Sequence, residues 1–278
     1  MKKLLLACDG SHFPSGALEF AVSVNRHEPI LLKGVFLPSI DYSRLTSLAY
    51  ANGEGFIPED FYEEEEKTMD KSIMQFENAC REHGINYGTL KYTGYESLQS
   101  LLDETRFSDM VLIGSEHFFS AMDSDQPNAE MNQLLHDSEC PVCLIPEKIR
   151  KPENIVFAYD GEGPCMAAIR TFSSLMPNYT HLPLTAVFFS DSTEDKLPNE
   201  KNMKEYIKCH YKQFNIKVAA GKSVKDLDQW MSAYKNPLII TGSYSRSGLS
   251  RVFKKSFIST AIASHQFPIF LFHGKEKQ

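Results

Sequence analysis

The sequence predicts an α/β protein built from two tandem, doubly wound domains, each with a five-stranded parallel sheet flanked by helices. Three observations carry this prediction. Short apolar runs alternate with helical stretches along the whole chain. A strand ending in Asp-Gly occurs twice, at Lys3 to Gly10 (KLLLACDG) and at Asn154 to Gly161 (NIVFAYDG). The motifs that follow also recur in order: Met110 to Ser115 (MVLIGS) corresponds to Leu238 to Ser243 (LIITGS), and Cys140 to Ile145 (CPVCLI) to Phe267 to Phe272 (FPIFLF).

In each copy a helix follows the Asp-Gly strand, over Ser15 to Asn25 and over Cys165 to Leu175, with Pro14 and Pro164 near its first turn. The second strands are Ile30 to Leu37 and Leu184 to Phe189, followed by charged amphipathic helices over Glu63 to His83 and Glu200 to Phe214. Third strands (Asn86 to Tyr92; Ile216 to Ala219), further helices (Tyr95 to Thr105; Val224 to Tyr234), the Gly-Ser strand and a final strand complete each copy. Pro146 and Pro152 bracket a charged linker, so the domains are read as 1–147 and 148–278, with two separate sheets rather than one continuous sheet. The stretch from Asp9 to Gly114 is 105 positions long and that from Asp160 to Gly242 is 82, which puts an insertion of about 23 residues in the first copy, near 41–66. Its composition fits a solvated loop leading into an exposed helix start, or a partner-binding flap.

Charge is unevenly divided. Residues 1–147 carry 10 Lys and Arg against 25 Asp and Glu, whereas residues 148–278 carry 19 against 11, so an anionic ligand favours the second half. No apolar run approaches the roughly 20 residues of a membrane span, and Leu4 to Cys8 is shorter than the roughly 7 to 15 residues of a signal core. The expected location is the cytoplasm, with no membrane partner. The +8 of the second half lacks an aromatic-basic pattern, which argues against nucleic acid. Six scattered cysteines read as reduced, buried thiols, Cys140-Pro-Val-Cys143 included, and the nine histidines show no paired metal-ligand spacing. No catalytic triad or carboxylate pair stands out, so no enzymatic activity is expected.

Residues 242–256, GSYSRSGLSRVFKKS, hold five serines, two glycines and four basic residues directly after an apolar strand. Small residues between a strand end and a helix let backbone N–H groups approach an anion. With the two Asp-Gly strand ends, the strand-Gly-Ser turns, Ser247 to Arg251 and the Pro-apolar final strands, the chain resembles the universal stress protein family in its tandem form, from Lys2 to His273. That resemblance implies Rossmann-like domains and a stress-related regulatory role, with ATP or another adenine nucleotide as ligand.

In nucleotide-binding members the turn after strand four reads G-x-x-G, nine residues, then G-[ST]. Here the pattern falls on Gly242, Ser245, Lys255 and Ser256; Ser245 and Lys255 replace glycines, where a Cβ can cost about 1 kcal/mol or block the approach. Two readings follow, a working anion site and a relic. In the working site Ser243, Ser245, Arg246, Lys255 and Ser256 meet the phosphates. The resemblance further implies that Asp160 faces the ribose and that backbone near Phe189 meets the adenine. Asp160 reads equally well as a turn or cap residue, Phe189 as an ordinary strand residue, and the basic residues as a solvated face. The first copy places Gly114, His117, Pro127 and Asn128 at the four motif positions, with Glu116, Asp123 and Asp125 between, and reads as lacking a nucleotide site. The alternatives in function are an interaction protein that acts through its surfaces and a slow ATPase. The family's habit of pairing final strands across a two-fold axis implies that Val142 to Ile145 meets Ile269 to Phe272, giving an intramolecular pseudo-dimer, with further homodimerisation open.

Overall fold

A computed structural model of the chain describes all residues except 11, 40–58, 93–96, 121–126, 191–195, 221–232, 243–258, 273 and 275–278, and leaves out the side chains of 59–62, 189 and 220. The first half runs β1 (Lys2–Asp9), α1 (Ser15–His27), β2 (Ile30–Leu37), α2 (Glu59–Glu82), β3 (Asn86–Lys91), α3 (Ser97–Thr105), β4 (Met110–Gly114), α4 (Ala129–Asp137) and β5 (Val142–Ile145). The second runs β6 (Asn154–Tyr159), α5 (Gly163–Leu175), a single 3₁₀ turn (Pro177–Tyr179), β7 (Leu184–Ser190), α6 (Glu200–His210), β8 (Phe214–Ala220), β9 (Pro237–Thr241), a helical stretch over 259–264 that we call α7, and β10 (Ile269–Leu271).

The strand order is β3-β2-β1-β4-β5-β10-β9-β6-β7-β8. Each half therefore supplies five parallel strands in the doubly wound order 3-2-1-4-5, as the repeated motifs predict. The expectation of two separate sheets is corrected. β5 and β10 pair antiparallel, with Cys143 opposite Phe270, and join the ten strands into one sheet. The reason is physical: each final strand would otherwise present an unpaired apolar edge, and each is the partner that closes the other.

Side chains alternate across this sheet. Leu4, Leu6, Cys8, Leu112, Ile145, Phe157 and Ile240 point to the face covered by α1, α2, α5 and α6, whereas Leu5, Ala7, Ile113, Leu144, Ala158 and Ile239 point to the face covered by α3, α4 and α7. Both apolar layers run through the two halves without interruption. On the first face Phe20 of α1 stacks on Tyr179 of the second half at 6.2 Å.

Most boundaries shift by a residue or two from those read in the sequence, and three shifts have consequences for the packing. α2 starts four residues earlier, at Glu59, so the end of the insertion is helical. Within it Glu65 is buried and accepts bonds from the Ser39 N–H (2.6 Å) and hydroxyl (2.7 Å), which ties the helix to the end of β2. α6 stops at His210, because Tyr211, which continues its apolar spacing after Met203 and Ile207, leaves the helix to bury its ring and share a 2.9 Å hydrogen bond with Ser173. β8 begins at Phe214 as a result. The helix expected over Val224 to Tyr234 lies largely outside the described residues.

Candidate functional site

In a doubly wound sheet the crevice forms at the C-terminal ends of the strands, where the chain crosses to opposite faces from neighbouring strands. Here that point lies between β1 and β4 in the first half and between β6 and β9 in the second.

The second-half crevice is bordered by Asp160, Gly242 and the start of α5. Asp160 is half-buried, and its Oδ1 accepts the Glu162 N–H at 3.0 Å, so the turn role is realised. Gly161 has φ +84, and a Cβ there would fall 2.5 Å from Pro198, whose carbonyl accepts the Tyr159 hydroxyl at 2.7 Å. The segment after β7 is thus drawn over the end of β6. Gly242 is buried where β9 meets α5: a Cβ would lie 2.4 Å from the Cys165 nitrogen and 2.6 Å from the Pro164 carbonyl carbon. Close approach to the helix start is sufficient reason for glycine there, whether or not a ligand binds. α5 takes no side-chain cap from its N-cap residue, Glu162, has no acid in its first turn, and carries Pro164 there. Beyond β10, Gly274 stands beside Ala167 of this helix. Ser243, Ser245, Arg246, Lys255 and Ser256 lie outside the described residues, as does the Phe189 side chain; Phe189 itself belongs to β7.

The first-half crevice has the same frame and different contents. Asp9 is 3% exposed, and its carboxylate accepts the Phe119 N–H at 2.5 Å and the His12 N–H at 3.2 Å. These charge-assisted bonds offset the cost of burying the carboxylate. Phe119 has φ +54, a conformation that costs a bulky residue energy, and both Phe118 and Phe119 are buried. Asn128 holds this turn closed: its amide donates to the Phe118 carbonyl at 2.7 Å, and its oxygen caps α4 by accepting the Met131 N–H at 2.8 Å.

At the start of α1 stands a second internal group. The Glu147 carboxylate, which follows β5, stands beside the start of α1, where the Gly16 backbone favours its charged form, and lies 3.4 Å from where a Cβ on Gly114 would sit. Burial raises its pKa above the ordinary carboxylate value, and the neighbouring Glu116 adds to the rise. His12 Nε2 is 3.8 Å from Glu147 Oε1, and the His12 and His117 rings meet at 4.0 Å. In the repeat Gly274 takes the place of Glu147.

These groups were not singled out as a site from sequence. His12, His117 and Glu147 are far apart in the chain, and the one available signal was the substitution of His117 at a motif position. Among the described residues no group of three could hold a metal ion. Cys8, Cys80, Cys140, Cys143 and Cys165 are buried and Cys209 is exposed. Burial pushes the Cys140 thiol up to about 12 and Cys143 higher still, so neither is a ready thiolate.

Superposition on solved structures matches the whole chain. A universal stress protein from Archaeoglobus fulgidus DSM 4304 aligns with a TM-score of 0.70, covering 100% of this chain and 98% of that one at 14% identity. The fold is that of the universal stress proteins. A candidate universal stress protein from Pseudomonas aeruginosa UCBPP-PA14 aligns with a TM-score of 0.54 at 12% identity, over 98% of this chain and 93% of the other. No protein-family model matches the sequence, and no curated protein does either. The likeness to these proteins is therefore one of fold. No helix among the described residues is long and apolar enough to cross a membrane.

Proposed function

We propose that this chain is a stress-related regulatory protein that binds ATP or another adenine nucleotide, one per chain, in its second half, and does not turn it over as an enzyme. The supporting observation is the contrast between the two crevices. The first meets its Asp with its own Phe119 peptide and places its own Glu147 beside its helix start, whereas the second has Gly274 in place of that acid. In this reading the phosphates lie between Gly242 and the α5 N-terminus, where the helix dipole favours negative charge. Ser243, Ser245, Arg246, Lys255 and Ser256 contact the phosphates, Asp160 the ribose, and backbone near Phe189 the adenine. The first half holds no nucleotide. The working location is the cytoplasm, without nucleic-acid or membrane partners.

Titration calorimetry with ATP tests the proposal. One site per chain is expected. Ser256→Ala should weaken binding by roughly 0.5 to 1.5 kcal/mol, and up to about 3 if its hydroxyl bonds a charged phosphate. Lys255→Glu should weaken it more and leave the residual affinity less sensitive to salt. Absence of heat at millimolar ATP would make the loop a relic, and steady release of phosphate would make the protein an ATPase. The alternative is an interaction protein, which the exposed acidic residues of α2 favour: Glu63, Glu64, Glu66 and Asp70 all face solvent.

A further inference from the structure

The ten-stranded sheet ends in two margins of opposite charge. Among the described residues β3 pairs only with β2 and β8 only with β7, so every second N–H and C=O of each outer strand points away from the sheet. Tyr87 and Leu90 on β3, and Phe214, Ile216 and Val218 on β8, are half-buried, whereas every side chain of β4 and β9 is buried. α2 packs on β2 and β3. Its side turned toward β3 is marked by Lys91, which pairs with Glu66 at 3.0 Å and Asp70 at 2.7 Å, and by Arg81, whose Nε donates to the Tyr87 hydroxyl at 3.1 Å. At about 3.6 residues per turn Glu63 and Glu77 fall on that same side, and so does Met74, which is 64% exposed. On α6, Met203 and Ile207 face the core and Tyr206 stands beside Ser173 and Arg170 of α5. The same helical spacing sets Lys201, Lys204 and Lys208 in one row on the side away from α5. Lys204 pairs with Glu200, while Lys201 and Lys208 are exposed and make no ion pair among the described residues. Residues 59–91 carry nine acids against four Lys and Arg, and residues 200–220 carry two acids against five lysines.

We propose that the chain assembles head to tail, the β8 margin of one copy adding to the β3 margin of the next. Because β5 and β10 run antiparallel, β3 and β8 do too, and a copy shifted along the sheet sets its β3 against β8 as an antiparallel pair. The shift also keeps the faces in step. α2 and α6 cover the same face, so the lysine row of one copy meets the acidic row of the next, and the apolar lysine stems cover Met74. Pairing like margins about a two-fold axis normal to the sheet would set acids against acids or lysines against lysines, so charge selects the unlike pair. Such a contact leaves one margin of each kind free at the ends. With a sheet twist of about 20 to 25° per strand, each copy turns as it advances, and the product is an open helical filament, not a ring. This assembly is independent of nucleotide binding.

Sedimentation velocity on the full chain tests the proposal. At low salt the average mass should rise with concentration past twice that of one chain, without a plateau, and should return to one chain at about 1 M salt, where the Debye length is about 3 Å. The triple variant Lys201→Glu, Lys204→Glu, Lys208→Glu should remain a single chain at every concentration, and so should Glu63→Lys, Asp70→Lys, Glu77→Lys. Mixed in equal amounts the two variants should assemble again, because each supplies the margin that the other now matches. A wild type that stays a single chain, a plateau at two chains, or a mixture no larger than its parts would overturn the proposal. Should a variant not fold, the wild type decides through its salt dependence, since assembly that salt leaves unchanged also overturns it.

Discussion

The two crevices share a frame and differ in how their polar groups are satisfied. Asp9 and Asp160 end equivalent strands, yet Asp9 is buried against two backbone N–H groups while Asp160 is half-exposed and serves the local turn at Glu162. Gly114 and Gly242 end equivalent strands too, but the nearest neighbours of a Cβ on the first are Pro14 at 3.2 Å and Glu147 at 3.4 Å, against the Cys165 backbone at 2.4 Å on the second. The lesson is that a duplicated motif retains its strand ends more faithfully than what lies above them. An Asp-Gly or Gly-Ser pair marks a crevice, and the neighbouring loops decide whether it is filled from within.

If the crevices differ as described, removing the two aspartates should have unequal effects. Asp9→Ala leaves two N–H groups near buried surroundings without acceptors and should cost roughly 2 to 4 kcal/mol in urea denaturation. Asp160→Ala should cost about 1 kcal/mol or less, and equal losses would break the comparison.

The glycines should show a smaller contrast in the opposite sense. Gly242→Ala forces the β9 end away from the α5 backbone, at about 1 to 3 kcal/mol. Gly114→Ala meets mainly side-chain atoms and recovers part of its cost by restricting the unfolded chain, so its net effect should stay under about 1 kcal/mol.

The smallest effect concerns pH. Because the folded pKa of Glu147 is raised, its contribution to stability is fully present below the ordinary carboxylate value near 4.5 and is lost as pH rises through the raised value. Relative to Glu147→Gln, the wild type should therefore gain stability as pH falls from neutral toward 4.5. His265, lowered in the fold, has the opposite sign, with stability present above the ordinary imidazole value near 6.5 and lost below it. Melting curves at several pH values on Glu147→Gln and His265→Asn separate these contributions.

Much of the frame was legible because it is written locally. Val142–Ile145 and Ile30–Leu37 were bounded as observed, since each is a short apolar run with clear ends. The meeting of the final strands was implied by the family resemblance, but their fusion into one sheet depends on an antiparallel register between residues more than 120 positions apart, which no local pattern encodes. Tyr211 misled for a related reason: its spacing after Ile207 is helical, and only the position of Ser173 shows that it has left the helix. Of the candidate site, Asp160 and Gly242 were legible as strand-end residues. The internal occupants of the first crevice were not, because Phe119 reaches Asp9 only through a left-handed turn and Glu147 reaches Gly16 only once β5 has docked beside β4.

The β5 and β10 pairing also sets a schedule for synthesis. β5 is made by residue 145, and its partner not until residues 269–271. At the usual 5 to 20 residues per second, the apolar edge of β5 waits roughly 6 to 25 seconds for the strand that covers it. During that interval the nascent first half presents Val142, Cys143 and Leu144 as an open template. A ribosome stalled inside the second half would hold that template open, and two such chains on one message could pair with each other in place of their own late strand.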